Sequence, residues 1–299
     1  VTIRENYQHD VEARALARRV WQSLEVVHTP VYFSADVAAA SRAIGLRNRM
    51  MSYVAMRTAP LGTLPAEAVV AVLYGFAPRA VAMGVADAWD VVTPDQALDM
   101  TQTAMVELFA GLFEGRDAEV AQAAELAREA SLFHPVIGRP LGAAWASVPW
   151  GQTSPLILWQ AATRIRESRG GGHVAQLVAA DLDGVASHLT VVGDRPKLRE
   201  RLSALRGWTD PEWDAGVAAL RHRGLLDDGG QLTEAGKALR EHIEQATDDL
   251  AAAPWQSLGV GASEQLLAAL RPLVERVAAA GILPRTITRG VLGEDDPRA

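Results

Sequence analysis

The chain has 299 residues, a net charge of −7, 49% hydrophobic residues and no cysteine. That length suits two domains with a substantial core. The acidic balance argues against a general nucleic-acid or anionic-membrane binder, and the lack of cysteine excludes disulfides, thiolate metal sites and cysteine nucleophiles.

Val1-Thr2-Ile3-Arg4-Glu5-Asn6 contains no apolar signal region, which points to the cytoplasm. Leu16, Val20, Leu24 and Val27 recur at steps of three and four and predict a helix over 11–27; Ser34 caps the next, which runs to Ile44 and ends at Gly45. Further helices are predicted at about 47–58, 65–75, 94–113, 117–132, 140–147, 155–169 and 173–191, with Thr93-Pro94 as a start and Gly115 as a stop. Pro140 to Thr163 carries no charge and is long enough to span a bilayer. Pro149-Trp150-Gly151-Gln152-Thr153-Ser154-Pro155 interrupts it, so two buried helices joined by a turn are expected, with no membrane span. After a final apolar helix at about 262–280, a tail from Arg285 is expected to be mobile.

Residues 195–256 carry the most informative order of parts. A basic amphipathic piece, Lys197-Leu198-Arg199-Glu200-Arg201-Leu202, precedes Gly207-Trp208; Thr209 and Glu212 then stand at capping-box spacing around Pro211. Trp213, Val217 and Leu220 keep helical spacing up to Arg223-Gly224. Leu225-Leu226 and Gln231-Leu232, around Asp227-Asp228-Gly229-Gly230, read as two short strands, and Thr233 opens a helix with Leu239, Ile243 and Leu250 on one face. This stretch resembles the MarR-type winged helix, which implies a DNA-binding module and a homodimer formed through terminal helices. The whole chain resembles an uncharacterised actinobacterial family whose C-terminal part is labelled helix-turn-helix. That likeness rests on Glu25-Val26-Val27-His28, Arg57-Thr58-Ala59-Pro60-Leu61-Gly62, Phe76-Ala77-Pro78-Arg79, Gly138-Arg139-Pro140-Leu141 and Arg169-Gly170-Gly171-Gly172-His173. The expected fold is therefore all-α: a multi-helix domain over 1–194, a winged-helix-like domain with a small two-stranded wing over 195–256, and a C-terminal helix and tail over 257–299.

The charges of the winged module oppose its usual role. Asp210, Glu212 and Asp214 occupy the start of the helix that would read bases, and Asp227-Asp228 the wing tip, where each carboxylate faces a phosphate of like sign. DNA binding would require a basic surface gathered from Arg195, Lys197, Arg199, Arg201, Arg206, Arg221 and Arg223. Gly170-Gly171-Gly172 either ends one helix in a turn, the commoner meaning, or opens a helix at His173 whose free N–H groups meet an anion beside Arg166 and Arg169. His28 and His173 are candidate acid and base, or haem or metal ligands, but no pair has metal-ligand spacing. Arg57, Arg79 and Arg139 lie in apolar neighbourhoods and need partners: carboxylates such as Glu25, Glu67 or Asp87, or an anionic ligand walled by Tyr32, Tyr53, Trp150 and Trp159.

The leading expectation is a cytoplasmic small-molecule-binding protein or enzyme. Its pocket, for an anionic or aromatic ligand, is assigned to His28, Tyr32, Arg57, Arg79, Arg139, Trp159, Arg166 and His173, and the winged helix is structural. The alternative is a MarR-like, ligand-responsive transcriptional regulator that binds DNA as a homodimer. No metal, cofactor or reaction is assigned.

Overall fold

A computed structural model describes residues 11–193 and 196–292; the expectations for Val1 to Asn6, for Arg195 and for the tail beyond Leu292 lie outside them. The described chain is built from helices: α1 (Val11–His28), α2 (Pro30–Phe33), α3 (Ala35–Ala43), α4 (Arg49–Thr58), α5 (Ala66–Val72), α6 (Pro78–Trp89), α7 (Pro94–Leu112), α8 (Asp117–Ser131) and α9 (Pro140–Ser147). It continues with α10 (Ser154–Ala179), α11 (Gly184–Val192), α12 (Pro196–Arg206), α13 (Asp210–His222), α14 (Glu234–Leu250), α15 (Ala253–Leu258), α16 (Val260–Ala279) and α17 (Arg285–Leu292). Two compact units are formed, each from separated stretches of sequence, and the chain passes between them inside α3, α7, α10 and α14.

Unit 1 gathers the chain up to Val37, residues 102–169 and the chain from Thr247. In its core α1 packs on α16 and α16 on α8. Leu16, Val20, Leu24 and Val27 are buried, as are Leu266, Leu270, Leu273, Val274 and Val277, at the spacing that lines one face of a helix. Asp248, buried, accepts from Arg18 at 2.6 Å and from Arg169 at 2.8 Å, and the Arg169 guanidinium lies 3.9 Å from the centre of the Trp21 ring. A buried carboxylate needs such neutralisation. The charge-free stretch from Pro140 folds as α9 and α10 around a turn that Gln160 closes, accepting from Gly151 N at 2.8 Å and donating to Pro149 O at 2.9 Å. Among the described residues no helix is long and apolar enough to cross a membrane.

Unit 2 comprises residues 38–101 and 170–246. Here α4 and α5 pack on α6, and α11 packs on α12 and α13. The buried cluster under α11 and α13 joins Leu177, Leu182, Val185, Leu189, Trp213, Leu220, Leu225, Leu226 and Ile243. The helix α6 is absent from the sequence reading. Its start signal is present, with Pro78 in the first turn, and its Gly84 leaves space for Met50, whose Cγ lies 2.7 Å from where a Cβ would stand.

Three expectations are overturned or altered. The triple glycine does not break the chain. The helix α10 runs through Gly170-Gly171-Gly172, so their N–H groups serve the helix and none is left for an anion ahead of His173. Each glycine costs about 1 kcal/mol in a helix interior. Burial of the apolar Leu158, Ala161, Ala162 and Ile165 before them and Leu177 after them offsets that cost. The two-stranded wing is also absent: among the described residues there is no β-strand, only an isolated antiparallel bridge between Leu226 and Leu232. Leu225 and Leu226 are drawn into the core, and the four turn residues leave too little chain on either side for a ladder. The fold class is therefore all-α without a winged-helix subdomain. Finally, Arg285–Leu292, placed in a mobile tail by sequence, forms α17.

The chain that replaces the wing is closed at Gly236, where an added Cβ would run into the carbonyl oxygen of Leu225. Gly236→Ala is expected to lower the stability of unit 2 by about 1–3 kcal/mol, the usual cost of overpacking. Chemical denaturation of wild type and variant checks this.

Candidate nucleic-acid interface

The helices α11, α12 and α13 pack together in unit 2, α11 against both of the others. Asp183 caps α11 by accepting from Ala186 N at 2.8 Å. Gly216 lets α11 approach α13: a Cβ there would stand 2.9 Å from Leu189 Cδ1 and 3.1 Å from Val185 Cγ1. Trp213 and Leu220, on the same face of α13, are buried beneath that contact. One carbonyl, Gly75 O, accepts from His188 Nε2 at 2.7 Å and from Trp208 Nε1 at 3.1 Å, tying α11 and the turn before α13 to the segment ahead of α6. Burial, and then the nearby Arg206, push the His188 pKa down to about 4, so the ring is neutral and donates through Nε2.

The start of α13 is held by a charge clamp. Glu212 accepts from Thr209 N and Thr209 Oγ1, both at 2.7 Å, completing the capping box. Arg79 meets the same carboxylate with two nitrogens at 2.6 and 2.9 Å and also donates to Gly207 O. Arg199 lies 2.9 Å from Asp214 and 3.7 Å from Asp210. The carboxylates that set the start of α13 at odds with DNA are thus matched by arginines from α6 and α12. At the other end, Arg221 donates to Asp227 O at 3.0 Å and to Asp228 O, while Arg223 donates to Asp181 O at 2.5 Å and Ala180 O at 2.9 Å. These two arginines brace turns. The outer face of α13 exposes Asp214, Ala215, Ala218, Ala219, Arg221 and His222, a surface of small side chains that lets the helix backbone come close to a partner.

The eight residues assigned from sequence to a ligand pocket are divided between the units. His28, Tyr32, Trp159 and Arg166 converge in unit 1. The Thr163 hydroxyl donates to Trp159 O at 2.8 Å, so its contact with His28 Nδ1 at 2.9 Å is a donation from the ring nitrogen. His28 stacks on Trp159, 5.9 Å between centres with 7° between planes, and its Nε2 is 3.4 Å from Tyr32 Oη. Arg166 bridges Glu25 at 2.8 Å and buried Glu167 at 2.7 Å. Arg139, also in unit 1, is buried and donates to Ser168 Oγ and Leu250 O, each at 2.9 Å. Arg57, Arg79 and His173 belong to unit 2. A cavity of about 530 Å³ in unit 1, bordered by Arg19, Glu264, Arg271, Glu275 and Leu292, has none of the eight in its wall.

The chain matches the helix-turn-helix family over residues 17–284 and belongs to it. No curated protein and no solved structure matches it. The match covers most of the chain and is to a general helix-turn-helix family, which corrects the MarR-type winged-helix reading of residues 195–256. It also overturns the leading functional expectation, a ligand-binding protein or enzyme with a merely structural winged helix: the family is a helix-turn-helix one, and the residues proposed for the pocket are divided between the two units. The clamp on α13 escaped the sequence reading because Arg79 and Glu212 are 133 positions apart. The capping box that holds the same carboxylate was legible.

The Arg79 guanidinium, and then the Thr209 donors, pull the Glu212 pKa from 4.5 down to about 2. The pair is only partly shielded, with Arg79 45% and Glu212 35% exposed, so its contribution is about 1 kcal/mol or less. Because the folded-state value is the lower one, that contribution is complete above pH 4.5 and is lost as pH falls towards 2. Glu212→Gln is expected to flatten the fall of the melting temperature across that window, as read by thermal denaturation at a series of pH values.

Proposed function

We propose that the protein is a cytoplasmic DNA-binding regulator that presents the outer face of α13 to the major groove. The observation that carries this is the family match across residues 17–284 together with a helix-turn-helix whose second helix buries Trp213 and Leu220 inward and leaves Ala215, Ala218 and Ala219 outward. Alanine methyls suit contact with thymine methyls, and a carboxylate such as Asp214 accepts from cytosine N4. Asp210 and Asp214 at the start of α13 then become readers whose charge is matched by Arg199, while Glu212 is held by Arg79.

Duplexes enriched from a random library by the full chain supply the test. Retention that weakens steeply with salt supports the reading, and no retention at about 50 mM salt overturns it. Ala218→Glu places a bulky charge on the outer face without touching the core. It is expected to lower affinity for the enriched duplex at least tenfold at an unchanged melting temperature, consistent with about 1–3 kcal/mol per disturbed base contact.

The regulator works as a homodimer on paired half-sites. Support comes from the loop between α8 and α9, where Leu132, Phe133, Val136 and Ile137 are exposed, Ile137 at 94%. The loop is pinned at its base by Ser168 Oγ donating to Pro135 O at 2.7 Å. Exposed apolar side chains this closely grouped mark an interaction surface. The double variant Phe133→Asp, Ile137→Asp is expected to halve the molar mass read by light scattering.

A further inference from the structure

One side of α8, with Val120, Ala123, Ala124 and Ala127, is buried, and the helix packs on α15 and α16. Along its other side Ala118, Ala121, Glu125 and Arg128, continued by Leu132, are all exposed. Their alternating steps of three and four average about 3.5 residues, the spacing of a seam along which two helices pack. The stripe begins with two alanines, carries one acid and one base at its centre, and ends in the exposed apolar loop. Neither central charge is neutralised within the chain. Arg128 and Glu125, one turn apart, form no ion pair with each other or with any other described residue. The Arg128 guanidinium lies 5.2 Å from the centre of the Trp150 ring. Arg164 lies 3.6 Å from the same ring; it is buried, donates to Val148 O, and is paired with no carboxylate among the described residues. Burial, and then Arg128, hold the Arg164 pKa down to about 10. Two guanidinium groups around one ring, with no carboxylate between them, leave this part of the surface short of negative charge.

We propose that a second copy of the chain docks on this face, the two α8 helices running antiparallel so that Arg128 of each copy meets Glu125 of the other. This rests on the homodimer reading and adds to it the helix pairing and its register. Arg128 and Glu125 are equivalent about the point midway between them. A two-fold axis at that point forms both ion pairs at once, as an isologous contact requires. The same axis sets Leu132 of one copy on Ala121 of the other and brings Phe133 near Ala118. The large apolar side chains at one end of the stripe thus fall on the small ones at the other, which allows the helices to approach closely. A parallel pairing in register would oppose Glu125 to Glu125 and Arg128 to Arg128, and like charges so placed repel. Arginine held on tryptophan at the middle of the contact is the kind of residue that dominates binding at protein interfaces.

The chain contains no cysteine, so introduced thiols report the register directly. In the full-length double variant Ala121→Cys, Leu132→Cys the two thiols of one chain stand about 16 Å apart along the helix, too far for an internal disulfide. The antiparallel register places each beside its counterpart in the other copy. Mild oxidation is expected to give a covalent dimer on a non-reducing gel, while either single-cysteine variant stays largely uncrosslinked. Charge reversal supplies a second measure by sedimentation equilibrium. Arg128→Glu and Glu125→Arg are each expected to raise the dimer dissociation constant at least about tenfold, and the two together to return it to within about threefold of wild type. Both positions are exposed, so the melting temperature is expected to hold in all three. Absence of the cross-link, or of the loss and its restoration, in a chain that still dimerises overturns this pairing and leaves the homodimer reading standing. A monomeric wild-type chain overturns both.

Discussion

The junction at Thr209 and Glu212 is the constraint on which the arrangement of unit 2 depends. A capping box alone would start α13 but would not fix the direction in which it leaves the turn. With Arg79 gripping both oxygens of Glu212 and also reaching Gly207 O, the start of α13, the end of the preceding turn and the first turn of α6 become one rigid joint. The carbonyl of Gly75, shared by His188 and Trp208, fixes the same region from the side of α11. The outer face of α13 is presented by that joint, and the absence of a side chain at Gly216 lets α11 support it from behind.

Charge in unit 2 follows a consistent pattern. A net acidic chain with three carboxylates at the start of α13 looks unfit for DNA until each carboxylate is traced to its partner. Glu212 belongs to the clamp, and Asp210 and Asp214 face Arg199. Nearby, the Arg206 guanidinium lies over the Phe76 ring, and the charged form of Arg49 is disfavoured first by desolvation and then by Arg206. Local charge arrangement, and not the net charge of −7, decides what this surface attracts.

Unit 1 contributes a different kind of order. Several of its buried polar groups are grouped: Arg18 and Arg169 around Asp248, Arg166 between Glu25 and Glu167, His28 between Thr163 and Trp159. Breaking one member of such a set leaves a charge or donor uncompensated in the interior, which makes these networks strict about which helices may meet. The exposed apolar loop after α8 stands on this scaffold through Ser168 and Arg139.

The sequence by itself determined the helices with strong apolar periodicity and clear ends. Leu16 to Val27 in α1, the Thr93-Pro94 start of α7, the interruption at 149–155 and the capping box at Thr209 are local signals, set by side-chain spacing and by backbone groups a few residues away. It placed His28, Tyr32, Trp159 and Arg166 among the candidates. Tertiary structure decided the rest. Gly170 to Gly172 continue α10 because buried residues on both sides offset the local cost, and Leu225 and Leu226 enter a core where a wing would have kept them in a ladder. Arg79 finds Glu212 across 133 positions, and Arg206 of α12 lies over Phe76, which packs on Tyr53 of α4. Such choices depend on burial and on charges brought together from distant parts of the chain, and no local periodicity encodes them.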